Sequence, residues 1–148
     1  MDRKLIILHA EDNQDDVVLI QKEFAKAGIQ PIHTSPDGED AMKYLEGTGP
    51  YADRKLHPYP DLLITDLKMP KVTGFDLLEW LDSRPDCRLP AIVLSGSAEP
   101  TDVERAYQLG ACSYVVKPGS PGDLEPFVSA VTMLWGSATC RRPRSSDI

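Results

Sequence analysis

This chain of 148 residues has few cysteines, too little basic charge and no long apolar run, and each shortage closes off a class of function. Cys87, Cys112 and Cys140 are an odd number without a C-x-x-C pair, so neither a disulfide framework nor a zinc knuckle is expected. A reducing cytoplasm suits that usage. Lysine and arginine number 16 against 23 acidic residues, a formal net charge of −7 at pH 7. Non-specific nucleic-acid binding needs a basic face, which this balance does not supply. No segment reaches the roughly 18–20 apolar residues of a membrane span. Leu5–Leu8 is too short for a secretory signal core, and Glu11 and Asp12 follow at once. His9, His33 and His57 are too scattered for a ligand cluster, and His33 and His57 read as surface residues.

What is present is an alternation of short apolar runs with helical stripes. Lys4–Ala10, Pro31–Ser35, Leu62–Ile64, Ala91–Leu94 and Ser113–Lys117 read as strands. Leu62–Ile64 has the continuous apolar character of a strand buried on both faces. Between them lie stripes through Val17, Ile20 and Phe24, through Ala41, Met42 and Leu45, and through Phe75, Leu77, Leu78 and Leu81. Thr101 is a candidate cap for a fourth helix ending at Gly110, and Gly28 closes the first. The last helix carries Phe127, Val128, Val131, Leu134 and Trp135, with Pro126 in its first turn. Five alternations predict an α/β fold, a doubly wound five-stranded parallel sheet with helices on both faces. Gly47–Pro60 reads as a surface loop, long for such a domain. Residues 1–136 form one domain on this reading, and 137–148 a basic, frayed tail.

Ligands of open α/β sheets bind outside the carboxyl ends of the strands, and the polar residues of this chain gather there. Glu11 and Asp12 follow the first strand, Asp66 the third, Ser95 the fourth and Lys117 the fifth. Three carboxylates at one rim repel each other unless a cation joins them, and hard oxygen ligands of this kind suit Mg²⁺. A lysine and a hydroxyl nearby can receive the oxygens of a phosphoryl group, with Asp66 as the nucleophile that takes it. The pair Asp15-Asp16 reads as dipole-favoured acid at the start of the first helix. Buried beside the acidic pair, His9 must be a packed neutral imidazole with a hydrogen bond of its own.

Glu11-Asp12-Asn13, Asp37-Gly38, Asp66 with Lys68-Met69-Pro70 and Gly74, Ser95-Gly96, Tyr114 and Lys117-Pro118 stand in this order, each at a strand end or turn. In this the chain resembles a response-regulator receiver domain of two-component signalling, over about Lys4 to Trp135, with the flavodoxin-like sandwich of that family. The Gly49–Asp53 stretch and Trp135 resemble the stand-alone receivers associated with phytochrome histidine kinases. The resemblance implies Asp66 as phosphoacceptor and Asp12, Asp66 and the backbone carbonyl of Lys68 as Mg²⁺ ligands. Glu11 would reach the metal through water. Lys117 would pair with the phosphoryl oxygens, and Ser95 and Tyr114 would be the switch residues. His9-Ala10 and Gly119–Gly122 depart from the family's usual pattern.

These features predict a switch phosphorylated by a histidine kinase, a phytochrome kinase being the narrower expectation. Such a protein promotes its own phosphorylation and dephosphorylation but is no enzyme in the usual sense. A phosphate-relay or phosphate-sink receiver is the alternative. A haloacid-dehalogenase-like phosphatase would need a second aspartate where Lys68 stands. A flavin carrier would set the flavin phosphate against Glu11 and Asp12. The apolar surplus of the last helix predicts a homodimer through that helix and the neighbouring face.

Overall fold

The computed structural model describes residues 5–84, 89–119 and 121–137, without the side chains of 121–122 and 134–137. Five strands, β1 (Ile7–Ala10), β2 (His33–Ser35), β3 (Leu62–Thr65), β4 (Ala91–Ser95) and β5 (Ser113–Val116), pair in parallel in the order β2-β1-β3-β4-β5. The helices between them are α1 (Gln14–Lys26), α2 (Gly38–Glu46), α3 (Gly74–Asp82), α4 (Pro100–Gln108) and α5 (Glu125–Ser137). The expected doubly wound sheet is therefore present, with β1, β2 and β5 one to three residues shorter than read. The tail at 138–148 lies outside the described residues.

Strand alternation divides the core in two. Ile7, Leu62, Ile64, Ile92 and Leu94 face α1, α5 and the 3-10 turn Pro121–Leu124 before α5, through Ile20, Phe24, Leu124, Phe127, Val128 and Val131. Leu8, Ala10, Leu63, Ala91 and Val93 face α2, α3 and α4 through Ala41, Leu45, Leu77, Leu78, Leu81 and Ala106. Phe24 meets Phe127 edge to face at 6.2 Å between centroids, a geometry worth ~1 kcal/mol beyond the area it buries. With a helix layer on each face, β3 is wholly buried, as its apolar run requires. On α5, Phe127, Val128 and Val131 are spent on this core while Met133 is exposed; the side chains of Leu134 and Trp135 lie outside the described set.

Local signals set the helix starts. Asn13 accepts from the Asp16 amide, Asp37 from the Asp40 amide, and Thr73 and Asp76 form a reciprocal capping box. The α4 start differs from expectation. Glu99 is its N-cap and Pro100 its first residue, so Thr101 is already inside the helix. Proline's fixed φ and missing amide suit the first helical position and take it from the threonine. Ala27 caps α1, and Gly28 follows it at φ 82°.

Two further expectations are corrected. Cys112 is disulfide-bonded, so an odd cysteine count did not exclude a disulfide; its partner lies outside the described residues. Gly47–Pro60 is the surface loop expected, and it is pinned as a strap in which a 3-10 turn at Gly49–Tyr51 folds back on α2. Arg54 Nη1 donates to the carbonyls of Tyr44 (2.8 Å) and His57 (3.1 Å), and Nη2 to Leu45 (2.8 Å). The Leu45 carbonyl is one that helix geometry leaves free, while that of Tyr44 also accepts from the Gly47 amide at 3.1 Å. Gly47 turns the chain there at φ 71°, and a Cβ on it would sit 2.8 Å from the guanidinium. Tyr44 is buried at the centre, its hydroxyl donating to Pro58 (2.9 Å), with the rings of Tyr51, His33 and His57 at 4.9, 5.7 and 5.9 Å. His33 and His57 are thus half-buried in an aromatic cluster, not surface residues.

Candidate functional site

The parallel ladder brings the strand ends to one rim. The Glu11 amide donates to Ser35, Asp66 to Ala10 and Lys117 to Ser95, which sets these residues one step past β1, β3 and β5. Behind Asp66 the chain turns tightly. The Gly74 amide donates to the Leu67 carbonyl (2.8 Å), and a Cβ on Gly74 would collide with the Asp66 backbone oxygen. Only glycine admits that approach, so Gly74 lets α3 start directly beneath the Asp66 loop. Asp66 Oδ1 accepts from the Leu67 amide at 2.7 Å, which orients the carboxyl and leaves Oδ2 toward the rim.

Carboxylate oxygens of Glu11, Asp12 and Asp66 lie within 4.8 Å of one another, with Glu11 and Asp66 buried and Asp12 exposed. An all-oxygen set at this spacing can hold a hard divalent cation. Lys117 is its counter-charge. The ammonium is 2.8 Å from Glu11 Oε1, 2.8 Å from Asp16 Oδ2 and 3.0 Å from Asp66 Oδ2. The contacts with Asp16 and Asp66 are aligned hydrogen bonds, while that with Glu11 is a contact of charge. Burial alone would lower the Lys117 pKa, but its acidic partners outweigh burial and raise it. Burial pushes the Glu11 carboxyl up to about 7, reinforced by Asp66 and opposed by Lys117.

His9 is fully buried, and its Nε2 lies 4.0 Å from Glu11 Oε1. Burial first, then the Lys117 charge, lowers it to about 4, so it is neutral as read from sequence. The hydrogen bond expected of it is not there: neither ring nitrogen has a partner among the described residues. β1 fixes the ring on the α1 side of the sheet, and the nearest acid is turned to Lys117.

An open cleft of about 460 Å³ lies before Asp66, lined also by Lys68, Ser95, Gly96, Ser97, Ala98, Glu99 and Lys117. Ser95 is buried at 2% exposure, with Oγ accepting from the Ser97 amide at 3.2 Å. The Tyr114 hydroxyl donates to the Ser97 carbonyl at 2.8 Å. Both sequence-marked residues are therefore tied to one residue of the β4–α4 loop. Sequence reading missed Ser97, and it missed Asp16 as a partner of Lys117. The available signal for Asp16 was its place three residues after the cap Asn13, on the turn of α1 nearest the strand ends.

The response regulator receiver domain family matches residues 7–129. FilR2, a probable methanogenesis regulatory protein of Methanothrix harundinacea, is 35% identical over 135 residues, 88% of this chain and 83% of that protein. Rcp1 of Synechocystis, a response regulator, is 31% identical over 132 residues, 88% of each chain. The structure of Rcp1 with Mn²⁺ bound has a TM-score of 0.77 over 88% of this chain and 94% of that one. That of the phosphorylated cyanobacterial phytochrome response regulator RcpA has a TM-score of 0.83 at 32% identity, covering 94% of this chain and 99% of the other. Since the family match runs from β1 into α5 and these likenesses span nearly the whole of each chain, this chain belongs to the response regulator receiver domain family.

Proposed function

We propose that Asp66 accepts a phosphoryl group from a histidine kinase in an Mg²⁺-dependent reaction and that the chain signals by protein–protein contact. The observation that carries this is the Lys117–Asp66 pair, 3.0 Å apart at the mouth of a cleft and inside a three-carboxylate cluster. Asp66 Oδ2 forms the new O–P bond as the bond from phosphorus to the donor breaks. Lys117 meets the charge that grows on the phosphoryl oxygens. Ser95 gives up its Ser97 bond to reach the phosphoryl, and Tyr114 follows the loop inward. Water later attacks phosphorus and frees phosphate, so the site turns over its own modification without an external product. Asp12, Asp66 and the Lys68 carbonyl would hold Mg²⁺, with Glu11 reaching it through water, and the ion would supply positive charge against the phosphoryl and carboxylate oxygens. Incubation with Mg²⁺ and acetyl phosphate, followed by intact mass, tests this. Wild type gains one phosphoryl mass, and Asp66→Asn gains none; a modified Asp66→Asn would sink the assignment.

A phytochrome kinase is the proposed donor, supported by the likeness to RcpA and Rcp1. Residues 1–136 are proposed as the receiver, acting in the cytoplasm without nucleic acid; no helix among the described residues is long and apolar enough to cross a membrane. The contact face is assigned to α4, β5 and α5, where Tyr107, Val116 and Met133 are exposed at 47, 44 and 76%. Through it the chain forms a homodimer. Light scattering with and without beryllofluoride should show dimer mass; a monomer in both states at high micromolar concentration would refute it.

A further inference from the structure

Resting on the phosphoacceptor reading above, we propose that Asp16 is a positioning residue that competes with the phosphoryl group for Lys117 and so slows phosphoryl uptake by Asp66. An ammonium has three donors, and here three carboxylates surround it: Glu11 at 2.8 Å, Asp16 at 2.8 Å and Asp66 at 3.0 Å. Two of its donors are taken by hydrogen bonds to Asp16 and Asp66, and Glu11 holds it by charge, so a phosphoryl oxygen must draw the ammonium against these partners. The three are not equivalent. Glu11 and Asp66 belong to the cluster whose oxygens lie within 4.8 Å of one another, and a cation there weakens their hold on the ammonium. Asp16 stands outside that cluster, so its hold persists when a metal binds.

Lys117 borders two concavities. One is the cleft before Asp66 and Ser95. The other is a cavity of about 30 Å³ on the α1 side, lined by Asp16, Leu19, Ile20, Leu94 and Pro118. Asp16 lines the second and not the first, so it meets no donor in the cleft and acts through Lys117. Its place is fixed by the first turn of α1, where its amide is held by the Asn13 cap at 3.1 Å. It draws the ammonium toward α1 and away from the point where the phosphoryl arrives. One third of the Asp16 side chain is exposed, so solvent limits the effect to that of a surface pair.

The test uses the full chain, Mg²⁺ and acetyl phosphate, with uptake on Asp66 followed by intact mass. Asp16→Asn keeps the side-chain shape and removes the competing charge. It should take up phosphoryl about two- to fivefold faster than wild type at low salt. The ratio should fall toward one at about 1 M salt, where the screening length is ~3 Å. Asp15→Asn removes the same formal charge from the neighbouring exposed position and should leave the rate at the wild-type value. Asp16→Asn at or below the wild-type rate overturns the inference. So does an equal acceleration by Asp15→Asn, which would assign the effect to overall charge. A wild type that takes up no phosphoryl would overturn the phosphoacceptor reading itself; a modified wild type without a faster Asp16→Asn overturns this inference alone.

Discussion

Two regions of this molecule bury polar groups, and they balance them in opposite ways. At the rim, Glu11, Asp16 and Asp66 gather around one lysine with Asp12 beside Glu11 and Asp66, and Glu11 is buried at 1% exposure with its carboxyl pushed up to about 7. At the strap, the groups that pin it have neutral or matched partners: Arg54 on carbonyls, Tyr44 on Pro58, Tyr51 on Asp40 at 2.7 Å. Burial pushes both tyrosines up to about 12, so they remain neutral donors throughout the working range of pH. On the proposed reading the rim leaves charge for a cation and a phosphoryl group to settle, while the pinning groups of the strap are paired within the fold. A buried network that is fully satisfied rigidifies, and one held out of balance is where ligand chemistry happens.

The largest break in that contrast is expected at Glu11. Its folded-state pKa is raised, so folding favours the protonated carboxyl; that stability is complete below about 4.5 and is lost as pH rises through about 7. His9 runs the other way. Its pKa is lowered to about 4, so its contribution is present above 6.5 and lost as pH falls. Wild-type stability against pH mixes the two, and the difference from Glu11→Gln isolates the first. Without metal, Glu11→Gln should gain on wild type between pH 4.5 and 7, reaching about 3 kcal/mol near pH 7.5. Mg²⁺ should narrow the gap by supplying the missing positive charge. Denaturant unfolding at several pH values measures it, and curves that stay parallel from pH 4.5 to 7.5 would show that the rim carries no such imbalance.

The rim was legible because its residues stand at strand ends, where the apolar run stops and a polar letter comes next. Parallel pairing then does the rest, and Glu11, Asp12, Asp66, Ser95 and Lys117 meet without any long-range information. Asp16 escaped because a first-turn aspartate has a sufficient local reason to exist, as dipole partner, and only the fold shows that it reaches Lys117. The strap escaped for a related reason. Gly47, Gly49, Pro50, Pro58 and Pro60 are turn residues in any context, and nothing in their spacing says that Arg54 reaches back to the end of α2. Proline and glycine report where regular structure stops, not whether the irregular chain beyond is held in place. The β4–α4 loop shows the same limit, since Ser97 is only a small residue in sequence but receives both Ser95 and Tyr114 in space.

The smaller break is at the strap, through Arg54. Arg54→Ala removes two donors from the last carbonyls of α2 and one from His57, along with the stacking of the guanidinium near Tyr44 and Tyr59 at 5.9 and 5.6 Å. The carbonyls are partly buried, so water replaces only some of these bonds, and the cost should be about 2 kcal/mol in thermal or denaturant unfolding. Gly47→Ala tests the same joint from the other side, because it sets a Cβ against the guanidinium at a φ of 71°. It should cost about 1 kcal/mol or more, and the pair should be non-additive, since removing Arg54 removes the collision. Neither substitution touches a rim residue, so phosphoryl uptake by the folded protein should stay at the wild-type rate. One route could connect the regions: the Gly38 amide at the start of α2 donates to the Val72 carbonyl in the loop after Asp66 at 3.1 Å. If Arg54→Ala alters uptake while the protein remains folded, α2 transmits strap strain to that loop, and the division between a rim that reacts and a strap that holds is wrong.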